Sequence, residues 1–227
     1  MKYTYYGHAC FEFDFDGTKV LLDPFITYNP IAKEVRAEDL APDYIFLTHG
    51  HEDHVADMVT VQKSKNATVA AIVETAAWVK KQGVPADKVI DFNLGGTLTL
   101  PFGKVKMVFA AHSNSTPDGS YGGFPVGFVF FVKGKTIYVS GDTALTMEMK
   151  LLERYQVDYA FLPIGGHYTM DAEDAVIAAQ FIKCKHVVGT HFNSFPPIEI
   201  DEVAVGKLFS EADVDLTLPE IGKTYEL

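Results

Sequence analysis

The chain has 227 residues, 48% of them hydrophobic and 22% charged, a globular composition that excludes extended disorder. Nineteen Lys and Arg stand against thirty Asp and Glu, and the resulting formal charge of −11 argues against general affinity for nucleic acid or anionic membrane. Two cysteines, Cys10 and Cys184, are too few for a disulfide scaffold or a Cys-rich metal site, and no run approaches the roughly 18 apolar residues of a membrane span.

The opening segment lacks a basic stretch followed by an apolar one, so a single domain over residues 1–227 in a reducing cytoplasm is the expectation, with self-association left open. Residues 2–23 alternate or run apolar, broken at Gly7-His8 and Asp16-Gly17, which predicts a β-meander whose third strand ends at Asp23-Pro24. A short buried strand over Tyr44–Leu47 leads straight into Thr48-His49. A helix near Val55–Lys65, a strand at Thr68–Ile72 and a helix from Glu74 to Gln82 follow, the last stopped by Gly83. Gly96–Leu100 and Val105–Phe109 are predicted strands, then comes a polar loop, His112–Gly123. Gly127–Val132 and Thr136–Ser140 form a hairpin through Lys133-Gly134-Lys135. Beyond Asp142 the pattern turns helical to Tyr155, then gives a strand (Tyr159–Leu162), a loop (Pro163–Met170), a helix (Ala172–Ile182) and a strand (His186–Gly189). A helix at Ile200–Ala212 and strands at Val214–Leu218 and Lys223–Glu226 complete the chain. Strands in two groups, each followed by helices, imply two sheets packed face to face beneath helices.

The densest chemistry is Thr48-His49-Gly50-His51-Glu52-Asp53-His54, where His49, His51, Asp53 and His54 put four potential metal ligands within six positions. On a helix His49 and His51 would point about 200° apart, and the helical H-E-x-x-H zinc motif fails because position 55 is Val. The segment is therefore expected as a loop, folding back so that His49 and His51 approach one metal and Asp53 and His54 a second. Imidazole suits zinc, iron and manganese, and carboxylate the harder of these. Three further candidates each follow a predicted strand: His112, Asp142 in Gly141-Asp142-Thr143, and His191 in Thr190-His191.

This order of motifs resembles the metallo-β-lactamase fold superfamily over essentially the whole chain. Gly7-His8-Ala9-Cys10-Phe11, Leu22-Asp23-Pro24-Phe25, Tyr168-Thr169-Met170 and His191-Phe192-Asn193-Ser194-Phe195-Pro196 are similar to a bacterial and archaeal family of predicted metal-dependent hydrolases related to ascorbate-6-phosphate lactonases. The resemblance implies an α/β fold, a four-layer αββα sandwich with metals at one edge of the sheets. It assigns His49, His51 and His112 to a first metal, Asp53, His54 and His191 to a second, and Asp142 to a bridge between them. Two divalent ions are expected, zinc first, with manganese or iron as alternatives.

Two divalent ions, two carboxylates and one bridging hydroxide sum to +1, which favours anionic substrates and transition states. The expected function is hydrolysis of a small ester, lactone or phosphoester, the hydroxide attacking and Asp53 orienting it. A phosphodiesterase or nuclease, or a non-hydrolytic diiron protein, stands as the alternative. Neither cysteine is a ligand, and Asp142 replaces the Cys of some zinc β-lactamases, so antibiotic hydrolysis is not the expected task. His167, in the Gly165-Gly166-His167-Tyr168 loop, is expected to touch substrate. His8 reads equally as a site residue or a turn residue, Asp23 as an orienting carboxylate or a cap, and Glu52 as an exposed acid balancing the site or a catalytic one.

Overall fold

The computed structural model describes residues 1–227. Seven strands form the first sheet: β1 (Lys2–Gly7), β2 (Cys10–Phe15), β3 (Thr18–Leu22), β4 (Tyr44–Phe46), β5 (Thr68–Ile72), β6 (Val89–Phe92) and β14 (Thr224–Glu226), in spatial order β14-β1-β2-β3-β4-β5-β6. Seven more form the second: β7 (Thr97–Leu100), β8 (Gly103–Phe109), β9 (Val126–Val132), β10 (Lys135–Val139), β11 (Tyr159–Pro163), β12 (His186–Thr190) and β13 (Asp215–Thr217), in order β13-β12-β11-β10-β9-β8-β7. Each sheet starts as an antiparallel meander and continues as parallel strands: β3 to β6 in the first, β10 to β13 in the second.

Period-two patterning decides which side chains fill each layer. Phe11, Phe13 and Phe15 on β2 point between the sheets, where they meet Phe128 and Phe130 of β9 and Phe161 of β11. Residues of opposite parity pack outward, Leu21, Ile45 and Val69 under the helices α2 (Met58–Lys65) and α3 (Val73–Lys81), and Val129, Tyr138 and Leu162 under α4 (Ala172–Ile182) and α5 (Glu202–Glu211). The result is the expected αββα sandwich. No helix is long and apolar enough to cross a membrane.

Departures from the sequence expectation have local causes. The strand β6 is absent from that expectation because it is four residues on a sheet edge with no residue fully buried, so it carries little apolar signal. The segment expected as a loop over His49–His54 is extended only to His51; Glu52–Val55 form one helical turn, α1, separated from α2 by Ala56-Asp57. That break is held by the Asp57 carboxylate, which accepts from the Ile26 and Thr27 amides and the Thr27 hydroxyl. After Asp142 the helix is a 3-10 helix starting only at Met147, because the backbones of Thr143 and Ala144 are engaged by Met170 and Ala111.

Candidate metal centre

Strand direction assembles the site. The strands β1, β3, β4, β8, β10 and β12 all end at one edge of the sandwich, and the next few residues are, in turn, His8, Asp23, His49, His112, Asp142 and His191. Carboxyl ends of parallel strands leave divergent loops and an open crevice, which is where such sheets hold their ligands. Gly141 permits the approach of Asp142: at φ +62°, a Cβ there would meet Thr48 Cβ and Val126 O at 2.8 Å.

His49, His51 and His112 bring one ring nitrogen each within 4.8 Å of one another, and a carboxylate oxygen of Asp53 meets one ring nitrogen each of His8, His54 and His191 in the same way. Between the two groups lies Asp142. Its Oδ2 is 3.0 Å from His191 Nε2, 3.3 Å from His54 Nε2, 3.7 Å from His112 Nε2 and 4.0 Å from His49 Nε2. One carboxylate oxygen thus faces imidazoles of both groups. His49 Nε2 and His51 Nδ1 face each other at 2.9 Å, and His54 Nε2 is buried with no hydrogen-bond partner. Two imidazole nitrogens on one tetrahedral zinc stand about 3.3 Å apart, from bonds of roughly 2.0–2.1 Å. The buried imidazole nitrogens and the Asp142 oxygen therefore suit first-row divalent metal ions, with the donors closing in by up to several tenths of an ångström.

The outer hydrogen bonds fix the tautomers that metal binding needs. Asp23 accepts from the Thr48 amide (2.8 Å), the Thr48 hydroxyl (2.6 Å) and His54 Nδ1 (2.9 Å), so the proton of His54 sits on Nδ1 and Nε2 is left for the centre. Having given its proton to Asp23, the Thr48 hydroxyl accepts from His49 Nδ1 at 3.0 Å, which frees His49 Nε2 in the same way. Asp23 is thus the orienting carboxylate rather than a cap. His8 reaches Asp53 Oδ2 with Nε2 (3.2 Å) and Ser194 with Nδ1 (2.9 Å). Burial drives the His8 pKa down to about 4, so the ring is neutral; it donates to Asp53 through Nε2 and accepts the Ser194 proton at Nδ1.

Charge is distributed unevenly. Burial holds His49 well below the usual histidine range and His51 and His112 below it too, so the first triad offers lone pairs. For His54 burial opposes the charged ring, yet Asp142 and Asp23, one at each nitrogen, raise it well above that range. Burial also opposes ionisation of Asp142, and His191 and His54 overcome it, keeping the carboxyl well below the carboxylate range. This part of the centre calls for positive charge at His54 Nε2, from a proton or a metal ion.

The structure brings together all seven residues that the resemblance places on metals. It does not bring in His167. That side chain is exposed, lines neither cavity at this edge and packs edge-on against Tyr168, with ring centroids 4.4 Å apart. The residue of this loop that reaches the centre is Tyr168, because His167 takes φ +58° and turns the chain over at that point. His8 has no exposed surface and reaches the centre only through Asp53, as an inner residue rather than one open to the cavity. A cavity of about 280 Å³ is walled by five of the metal-group residues with Ser113 and Tyr168, and a cleft of about 680 Å³ adjoins it at Asp53 and Tyr168. The sequence signals for Tyr168 are its place in the Tyr168-Thr169-Met170 motif and an aromatic in a Gly-rich loop beyond a strand end.

Residues 18–192 match the family model described as beta-lactamase superfamily domain, and with the sandwich and its histidine edge this defines a metal-dependent hydrolase of the metallo-β-lactamase superfamily. The chain is 46% identical to a protein named UPF0173 metal-dependent hydrolase from Flavobacterium johnsoniae over 100% of both chains. It is 41% identical to one of the same name from Methylacidiphilum infernorum over 97% of each. Igni18, described as a novel metallo hydrolase from the hyperthermophilic archaeon Ignicoccus hospitalis, superposes with a TM-score of 0.87 at 34% identity, covering 100% of this chain and 98% of its own. The chain belongs to the UPF0173 family of metal-dependent hydrolases.

Proposed function

We propose that the chain hydrolyses a small carboxylic ester or lactone with two divalent metal ions, zinc before manganese or iron. The observation that carries this reading is the single Asp142 oxygen facing imidazoles of both triads. His49, His51 and His112 would hold one ion, Asp53, His54 and His191 the other, with Asp142 shared. Bound there, the ions would supply a water ionised near neutral pH and positive charge where an oxyanion develops.

The chain's own groups do the positioning. His8 occupies Oδ2 of Asp53, leaving Oδ1 to accept a hydrogen bond from the attacking water. Burial opposes ionisation of Asp53, but the His8 hydrogen bond and the charge on His54 hold its carboxyl below the usual range, which suits an orienting acceptor better than a proton store. Tyr168 lines the cavity beside the proposed ligands and offers its ring to a bound molecule. A phosphodiester is disfavoured because no Lys or Arg lines either cavity. The same absence removes the expected preference for an anionic substrate: the charge of the centre serves the anion formed in the reaction.

Metal analysis of protein purified without added metal, followed by a panel of esters, lactones and phosphodiesters, tests the reading. About two ions per chain and turnover of esters or lactones are expected, with both lost in Asp142→Ala. Two-metal protein that cleaves only phosphodiesters would overturn it.

A further inference from the structure

We infer that the substrate's body is a flat, apolar, uncharged group that seats in the cleft beside the metal centre, and that Glu52 turns away anionic bodies. The inference rests on the hydrolase reading above and adds the class of substrate. A volume of about 680 Å³ lies in the middle of the range for small-molecule sites. Because the cleft shares Asp53 and Tyr168 with the metal cavity, a molecule whose reacting carbon lies at the metals extends into it.

The walls are Phe25, Tyr28, Phe195, Pro196, Pro197 and Tyr168, which offer ring faces and few hydrogen-bonding groups. The inner wall is preorganised. Phe25 and Phe195 each pack against the buried His8 ring at 5.5 Å, and His8 in turn holds Asp53. A ring seated there is therefore registered to the carboxylate that orients the water. Flat apolar groups gain most from such a wall, through burial and offset or edge contacts.

Charge selects further. The charged residues lining the cleft are Glu52 and Asp53, both acidic. Asp53 is engaged by His8; Glu52 is exposed on the first turn of α1 and lines the cleft with no cationic partner. With Asp53 on the proposed metal, an anionic body would leave water to face the Glu52 carboxylate with no Lys or Arg beside it, and an uncharged one suffers no such penalty.

Methyl esters of graded acyl groups test this on the metal-loaded enzyme, with metal content measured for each variant. Methyl phenylacetate should exceed methyl acetate in kcat/KM by at least about tenfold, since even one apolar methylene in a fitted pocket reaches that ratio. Phe195→Ala should erase the preference. A carboxylate on the para position of the phenyl ring should lower kcat/KM by about fivefold, the ratio set by one water-screened contact between unit charges, and Glu52→Gln should shift the anionic-to-neutral ratio back by the same factor. Ligand-observed NMR of benzyl alcohol supplies a readout without turnover: saturation transfer in the parent, lost in Phe195→Ala. Benzyl alcohol binding with these properties, but no ester or lactone hydrolysed, would sink the hydrolase reading and leave the cleft standing. Ester hydrolysis whose two ratios are the same in the parent, Phe195→Ala and Glu52→Gln would overturn the cleft assignment and leave the hydrolase reading intact.

Discussion

Asp23 touches no reacting group, yet its replacement by Asn should disable one metal position more than the other. The Asp23 carboxylate receives three donors, two from Thr48 and one from His54 Nδ1, with nothing exposed to water. An Asn keeps the shape but can turn only one oxygen toward them. If its amide nitrogen faces the Thr48 amide, two donors meet in a buried site at about 1–3 kcal/mol. If it faces His54, the imidazole must accept at Nδ1, and its proton moves to Nε2, aimed at Asp142. Either outcome weakens the orientation of His54, and losses of this kind lower metal affinity by about 10–100-fold, or roughly 1.4–2.7 kcal/mol. The fold should lose about 1–3 kcal/mol as well, which for a chain of this size lowers Tm by roughly 2–4 °C per kcal/mol. Competition against a chromophoric chelator resolves the two affinities, and thermal scans of chelator-stripped protein isolate the stability term. Thr48→Val is the companion variant: it removes the hydroxyl that holds His49 Nδ1 and should weaken the first triad instead. Equal losses at both positions in both variants, or parent affinities in Asp23→Asn, would refute the tautomer reasoning and leave Asp23 a structural carboxylate.

Four further outcomes are expected. Asp53→Ala should fold, by circular dichroism, yet lose about 10²–10⁴ in kcat; a fully metallated variant working at the parent rate would remove Asp53 from the reaction. His8→Ala should lower kcat by about 10–100-fold, with partial recovery in His8→Gln, whose amide can still donate to Asp53; a packing role alone predicts no such recovery. Loading stripped protein at pH 7 should release the proton held by His54 in addition to any lost by metal-bound water, and calorimetry in buffers of different ionisation enthalpy counts them. Because the His54 pKa is raised when folded, its stabilisation of the stripped protein is complete below about pH 6.5 and disappears as pH rises through the folded value, and the proton count falls over that same interval. Burial pushes the Cys10 thiol up and Cys184 up to about 11, so neither should react with iodoacetamide in native protein at pH 8, and mass spectrometry showing rapid labelling would contradict their burial.

What the sequence discloses and what it withholds divide along physical lines. Alternation along Phe11, Phe13 and Phe15 reports burial directly, because the pleat sends these side chains to one face. The proposed ligands are legible for a related reason: histidines and carboxylates placed just after apolar strands stand out against the runs they terminate. The edge strand β6 shows neither property, with Val89 and Ile90 half exposed beside Asp91. His167 misleads because chemistry alone selects it, whereas direction is set by backbone dihedrals that composition does not reveal. The positive φ at His167 sends it outward and leaves Tyr168 over the cavity. The apolar cleft is hidden for a third reason: Phe25, Tyr28, Phe195 and Tyr168 come from three separate loops, and only the closed sandwich puts them on one wall.

Backbone dihedrals also show where side-chain chemistry has prevailed over conformational ease. His8, Asp23 and His191 all adopt left-handed conformations, at φ +59°, +42° and +53°, where a residue with a Cβ is disfavoured by roughly 1–2 kcal/mol. Glycine would relieve each strain but carry no donor or acceptor. All three directly follow or nearly follow a strand, where a left-handed residue turns the chain sharply enough to aim its side chain back across the sheet edge. The interlock between them restrains that turn, since the His191 amide donates to the His8 carbonyl at 2.9 Å while Asp23 holds His54. Gly165 completes the support, its missing Cβ leaving room for the His191 carbonyl. Three of the eleven non-glycine residues in the left-handed region thus face or orient the proposed metals, and the aromatic core beneath this edge supports them there.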